Sequence, residues 1–184
     1  ENGKTFFRNK YNSFRKYPQL GLYMEVRNLA EDANGRIWVG TSDGLMSFDS
    51  NFQHPDQIEF EVYRNDGDKI NVFDNDVYVL YKDAGDRIWM SVFGGGLYKL
   101  LSYDPEKKQP VIQSYGVNQG LKSDVILSIT EDGANHLWLA TENTITRFDK
   151  ENESFRNFDR YDGLQPVQME EESALQLQSG LLWF

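Results

Sequence analysis

The sequence predicts an all-β fold, a β-propeller fragment made of four-stranded antiparallel blades. Three observations carry the prediction. Three stretches are versions of one unit: VRNLAEDANGRIWVGTSDGLMSFD at 26–49, VYVLYKDAGDRIWMSVFGGGLYKL at 77–100 and VILSITEDGANHLWLATENTITRFD at 125–149. Trp38, Trp89, Trp138 and Trp183 recur at intervals of 51, 49 and 45 residues, a drifting period that belongs to loop-separated supersecondary units rather than a coiled coil. Each unit alternates short apolar runs with turns rich in Asp, Asn and Gly, and sustained helical periodicity is scarce.

The elements follow in order. Residues 1–17 match only the third and fourth strands of a unit and form an outer half blade. Whole blades are expected at 24–63, 76–115 and 124–158, and residues 170–184 match only the first two strands, an inner half blade. Val77, Tyr78, Val79, Leu80 and Tyr81 are nearly all β-branched or aromatic, as in a strand buried on both faces. Asn34-Gly35, Gly85-Asp86 and Gly133-Ala134 supply hairpin turn chemistry. Fourth strands at 60–63, 111–115 and 155–158 alternate in polarity, as an outer strand with one wet face does. Residues 167–176 have local helical character, but the repeat register makes 172–178 a strand. One tryptophan per blade, flanked by aliphatic residues, reads as packing between blades rather than as a sugar platform. Half a blade, three blades and half a blade make an arc of a larger ring, with two apolar faces bare.

Composition narrows the function. The 184 residues are 39% hydrophobic and 14% aromatic, too apolar for disorder. With 19 Lys+Arg against 29 Asp+Glu the net charge is −10, which argues against bulk binding to nucleic acid or an anionic membrane. The absence of cysteine removes thiol catalysis and thiolate zinc sites. No run approaches the roughly 20 apolar residues of a membrane span. A first residue of Glu rather than Met reads as an excised or processed piece.

Asp32-Ala33-Asn34-Gly35, Asp83-Ala84-Gly85-Asp86 and Asp132-Gly133-Ala134-Asn135 lack the glycine at position 6 of an EF-hand loop, so Asx turns explain them and no metal is expected. His54 and His136 have no partner at ligand spacing, and no catalytic residue or cofactor is assigned. Lys4, Arg8, Lys10, Arg15 and Lys16 read as solvated residues of outer strands. In a meandering blade the second-to-third turn and the connector to the next blade lie on one face, where loops are free to bind. That face carries Ser42, Asp43, Phe93, Glu142 and Asn143 from the turns, and Asn71, Lys122, Ser123, Arg160 and Tyr161 from the connectors. Phe93 beside three glycines either stacks on a sugar ring or folds over the neighbouring blade.

Glu31-Asp32-x-x-Gly35-x-Ile37-Trp38-x-Gly40-Thr41-x-x-Gly44-Leu45, echoed at 83–98 and 131–148, resembles the two-component regulator propeller repeat. Gly21-Leu22, Gly120-Leu121 and Gly163-Leu164 fall where that family places a Gly-Leu pair before each blade. The second unit departs with Ser91-Val92 and an inserted residue, the third with Ala140 and Asn143-Thr144. The resemblance implies the periplasmic sensor region of a Bacteroides-type hybrid histidine kinase. Such a region would be non-catalytic, recognise a carbohydrate breakdown product such as an oligosaccharide, and signal as a homodimer through the parent protein, which alone meets the membrane. The tail resembles the family's last blade, which precedes an Ig-like domain. The alternatives are a propeller enzyme and a protein-interaction scaffold. The third unit resembles the repeats of propeller lyases, and the Asp-to-Gly spacing is one residue too long for the Asp-box of sialidases.

Overall fold

A computed structural model describes residues 7, 16–18, 25–64, 76–165 and 168–184. Three four-stranded antiparallel meanders follow one another: β1 (Val26–Glu31), β2 (Arg36–Thr41), β3 (Gly44–Asp49) and β4 (Glu61–Tyr63); β5 (Val77–Lys82), β6 (Ile88–Val92), β7 (Gly96–Asp104) and β8 (Gln109–Tyr115); β9 (Ser128–Glu131), β10 (His136–Ala140), β11 (Ile145–Asp149) and β12 (Ser154–Phe158). A two-stranded sheet, β13 (Leu175–Gln176) and β14 (Leu182–Trp183), completes the described part. The all-β propeller architecture is the one the repeats predict. The outer half blade expected at 1–17 lies outside the described residues except for Phe7, Lys16 and Tyr17. The strand expected over 172–178 is shorter, confined to Leu175–Gln176. Among the described residues no helix is long and apolar enough to cross a membrane.

The cores lie between sheets. Trp38, Leu45 and Tyr63 of the first sheet pack against Val77, Leu80, Ile88, Met90 and Tyr98 of the second. Val79, Trp89, Leu97 and Tyr115 on the other side of that sheet pack against Ile129, Leu137, Leu139 and Phe148 of the third. A sheet covered on both sides needs apolar residues at successive positions, which explains the unbroken run in β5.

One device fixes each tryptophan. Asp32, Asp83 and Asp132 close the first turn by accepting two backbone N–H groups on Oδ1, from Asn34 and Arg36, Gly85 and Arg87, and Ala134 and His136. The second oxygen accepts the indole N–H six residues on, at 2.9 Å for Trp38, 2.9 Å for Trp89 and 2.7 Å for Trp138. Each Asp therefore closes a turn and aims a ring, using chemistry that would otherwise look like calcium ligation. The ring then meets a fourth-strand aromatic of its own sheet, Tyr63, Tyr115 or Phe158. Trp38 and Trp89 are fully buried because the next sheet adds a third aromatic edge-on, Tyr103 at 6.3 Å and Phe148 at 5.6 Å. Trp183 departs from the interblade packing expected of all four. Its ring is 61% exposed, on a two-stranded sheet where Leu177 stands in place of the anchoring Asp.

Polar groups latch the two closed junctions. Glu61 Oε2 accepts from Arg36 Nη1 at 2.9 Å, the Tyr63 hydroxyl at 2.8 Å and the Tyr103 hydroxyl at 2.6 Å. Between the second and third sheets Lys150, fully buried, donates to Asp83 Oδ2 at 3.0 Å and to Glu131. Glu131 in turn accepts the Ala84 N–H at 2.7 Å. The second turns close tightly. A Cβ on Gly44 or Gly96 would lie 2.5 Å from the carbonyl oxygen of Tyr63 or Tyr115, with φ at +104° and +83°. The third sheet uses hydroxyls there, Thr141 Oγ1 meeting Thr144 Oγ1 at 2.7 Å.

These turns make stability depend on acid. Burial acts to raise the Asp83 and Asp132 pKa values. The indole and backbone N–H groups, with Lys150 or His136 alongside, outweigh it and pull both down to about 2. The unfolded chain binds protons near pH 3.9, so the stabilisation is complete above about pH 5 and disappears as pH falls toward about 2. The urea midpoint is expected to drop between about pH 5 and about pH 2.5, and Asp132→Asn to lessen the drop. A midpoint that stayed level over that range would contradict the assignment.

Candidate functional site

The second-to-third turns and the connectors meet at one end of the sheets. The Ser42 N–H donates to the Glu25 carbonyl and the Glu25 N–H to Ser42 Oγ, while the Phe93 N–H donates to the Asp76 carbonyl. Across to the following sheet, the Gly96 N–H donates to the Asp124 carbonyl and the Met169 N–H to that of Glu142. Each turn thus clasps the chain entering its own sheet or the next, and the loop face is built by backbone bonds.

The expected site residues are distributed around this face. Asp43 binds Arg64 at 3.1 Å, and its N–H donates to Thr41 Oγ1. Glu142 and Asn143 are exposed at the tip of the third sheet's turn. Lys122 Nζ stands 4.0 Å from Asp159 Oδ2, both on the surface. Arg160 donates to the Tyr161 hydroxyl at 2.7 Å and lies 4.8 Å from its ring centre, leaving Tyr161 exposed. Asn71 lies outside the described residues. Phe93 is 49% exposed, and its ring sits 5.5 Å from Tyr78 of its own sheet.

A group that sequence reasoning missed organises the middle of the face. Arg27, at the start of β1, grips Asp76 with Nε at 2.9 Å and Nη2 at 3.1 Å. Its Nη1 reaches Glu171 at 2.5 Å, and the guanidinium lies 4.8 Å from the Tyr78 ring centre. Burial opposes its charge, but Asp76 and Glu171 hold the guanidinium protonated. Asn28 beside it accepts the Leu80 N–H and donates to Glu172. The available cue was an arginine early in an inner strand, Val26–Glu31. Beneath, inner strands β1, β5, β9 and β13 line an open cavity of about 390 Å³. Ser128 Oγ in its wall is buried and lacks a hydrogen-bond partner among the described residues.

The assembled chemistry is an open pair of aromatic rings, Phe93 and Tyr78, next to a guanidinium and carboxylates that can hydrogen-bond hydroxyl groups. His136, the histidine held by a carboxylate, meets Asp132, which is already committed to the Trp138 indole.

The profile of the family described as two component regulator propeller matches residues 21–43 and 120–143. Over 185 aligned residues the chain is 25% identical to histidine kinase P4 of Formosa agariphila, covering 95% of this chain and 13% of the kinase. A crystal structure of the extracellular domain of BT3049, assigned to the hybrid two component systems of B. thetaiotaomicron, superposes with a TM-score of 0.64. That domain is 24% identical, over 91% of this chain and 22% of its own length, a likeness of fold.

Proposed function

Because the chain carries repeats of the two-component regulator propeller family, we propose that it is a non-catalytic module of an extracytoplasmic sensor in a hybrid two-component system, facing the periplasm. The ligand class is a saccharide, such as an oligosaccharide released by glycan breakdown, bound on the loop face. The observation supporting this reading is the half-open Phe93–Tyr78 pair beside Arg27 and Asp76. Aromatic faces stack on the C–H surface of a pyranose, and fixed ionic groups take its hydroxyls. Signalling then follows from population shift: a saccharide favouring one arrangement of two sensor protomers changes what the downstream domains of the parent protein read.

Calorimetric titration against a panel of neutral and acidic oligosaccharides tests the reading. One glycan family should release heat without turnover. Phe93→Ala should weaken that binding about tenfold, about 1.4 kcal/mol, with an unchanged melting temperature. Formation of a product would favour an enzyme instead, and silence across the panel a scaffold.

A further inference from the structure

Resting on the saccharide reading above, we propose that the loop face selects by charge. It admits neutral saccharides and excludes those bearing a uronate or a sulfate ester, with Glu142 and Glu171 as the discriminating residues.

The charges around the open pair of rings do not balance. Arg27 lies over Tyr78, and all three of its guanidinium nitrogens already donate to carboxylates, Nε and Nη2 to Asp76 and Nη1 to Glu171. An anionic ligand therefore meets a cation whose charge two carboxylates already offset. A third carboxylate comes from a different segment. The Met169 N–H donates to the Glu142 carbonyl at 3.4 Å and the Glu172 N–H to that of Leu127 at 3.0 Å. These bonds hold the stretch that carries Glu171 against the turn that carries Glu142. Glu142 is exposed and forms no ion pair among the described residues. Tyr78 registers the surplus: burial is the main reason its hydroxyl titrates above the ordinary range, and Asp76, Glu171 and Glu142 push it further against Arg27 alone. Elsewhere on the face Arg64 is paired with Asp43 at 3.1 Å, Lys122 stands 4.0 Å from Asp159, and Arg160 is turned onto Tyr161.

This surplus treats the two ligand classes differently. A sugar hydroxyl donates, and a donor to a carboxylate makes a charge-assisted hydrogen bond. A uronate or sulfate group brings acceptors and a like charge, so specificity comes from the repulsion built against it. Three carboxylates against one guanidinium leave two negative charges around Tyr78. Within a Debye length these weaken an anion about tenfold at low salt, and the effect fades as salt rises.

Two measurements test this. In calorimetry at low salt, gluco-, manno- and galacto-oligosaccharides are each titrated beside the same sugar oxidised at C6 to the uronate. Within the pair that binds, the neutral member should be about tenfold tighter, and the gap should close at about 0.5 M salt. Glu142→Gln combined with Glu171→Gln should close it at low salt too, since glutamine keeps an acceptor for Arg27. The second measurement needs no saccharide. With para-fluorophenylalanine in place of Phe93, a cationic nitroxide should relax the fluorine about threefold more than an anionic one. The double variant should bring the two together. Equal or tighter binding of the uronate, or nitroxides that act alike on the parent chain, overturns the charge selection and leaves the saccharide reading standing. Silence from every pair overturns both.

Discussion

A Lys150→Met chain is expected to lose about 3–5 kcal/mol of folding stability, the loss seen when one partner of a buried charge cluster is removed. The Lys150 side chain has no solvent contact, and neither does that of Asp83, with the Glu131 side chain nearly as enclosed. Deleting the ammonium leaves two carboxylates close together in a dry junction, with backbone, indole and Arg87 donors offsetting only part of the cost. For a chain of this size the melting temperature should fall by roughly 6–20 °C. Adding Glu131→Gln should recover part of the loss, since one uncompensated charge then disappears. A single variant that melts with the parent would show that the cluster contributes little.

Trp89→Ala is expected to cost about 3–5 kcal/mol, the range for truncating a buried aromatic side chain. The ring is fully enclosed, touches Tyr115 and Phe148, and donates to Asp83, so its loss opens a cavity and removes a donor from a buried carboxylate. Trp183→Ala is the internal control: with its ring mostly in solvent, it should melt close to the parent. Equal losses from the two substitutions would contradict the placement of the cores between sheets.

The strand units were legible in the sequence because their signals are local. Apolar runs, turn residues and one tryptophan per unit need only a few neighbouring residues to be read. The Asp-to-Trp bond was half legible, since a six-residue spacing recurs three times while its meaning depends on turn geometry. Lys150 and Arg27 were not legible. Their partners lie 67 and 49 residues away in sequence, brought close only by the stacking of sheets. The fate of Trp183 was misjudged for a related reason, because a ring is buried by the sheet that follows it and by its own Asp, and Leu177 replaces that Asp. On the loop face, sequence placed Lys122, Arg160 and Tyr161 in connectors but carried no information on what stands beside them.

The reach of Arg27 also sets the order of assembly. Each meander pairs residues close in sequence, whereas the Arg27–Glu171 bond joins positions 144 apart. As the polypeptide leaves the ribosome, the earlier sheets can form while Arg27 holds only Asp76. Its third hydrogen bond must wait until Glu171 has been made, well after the first two sheets, so that contact forms later than the meanders.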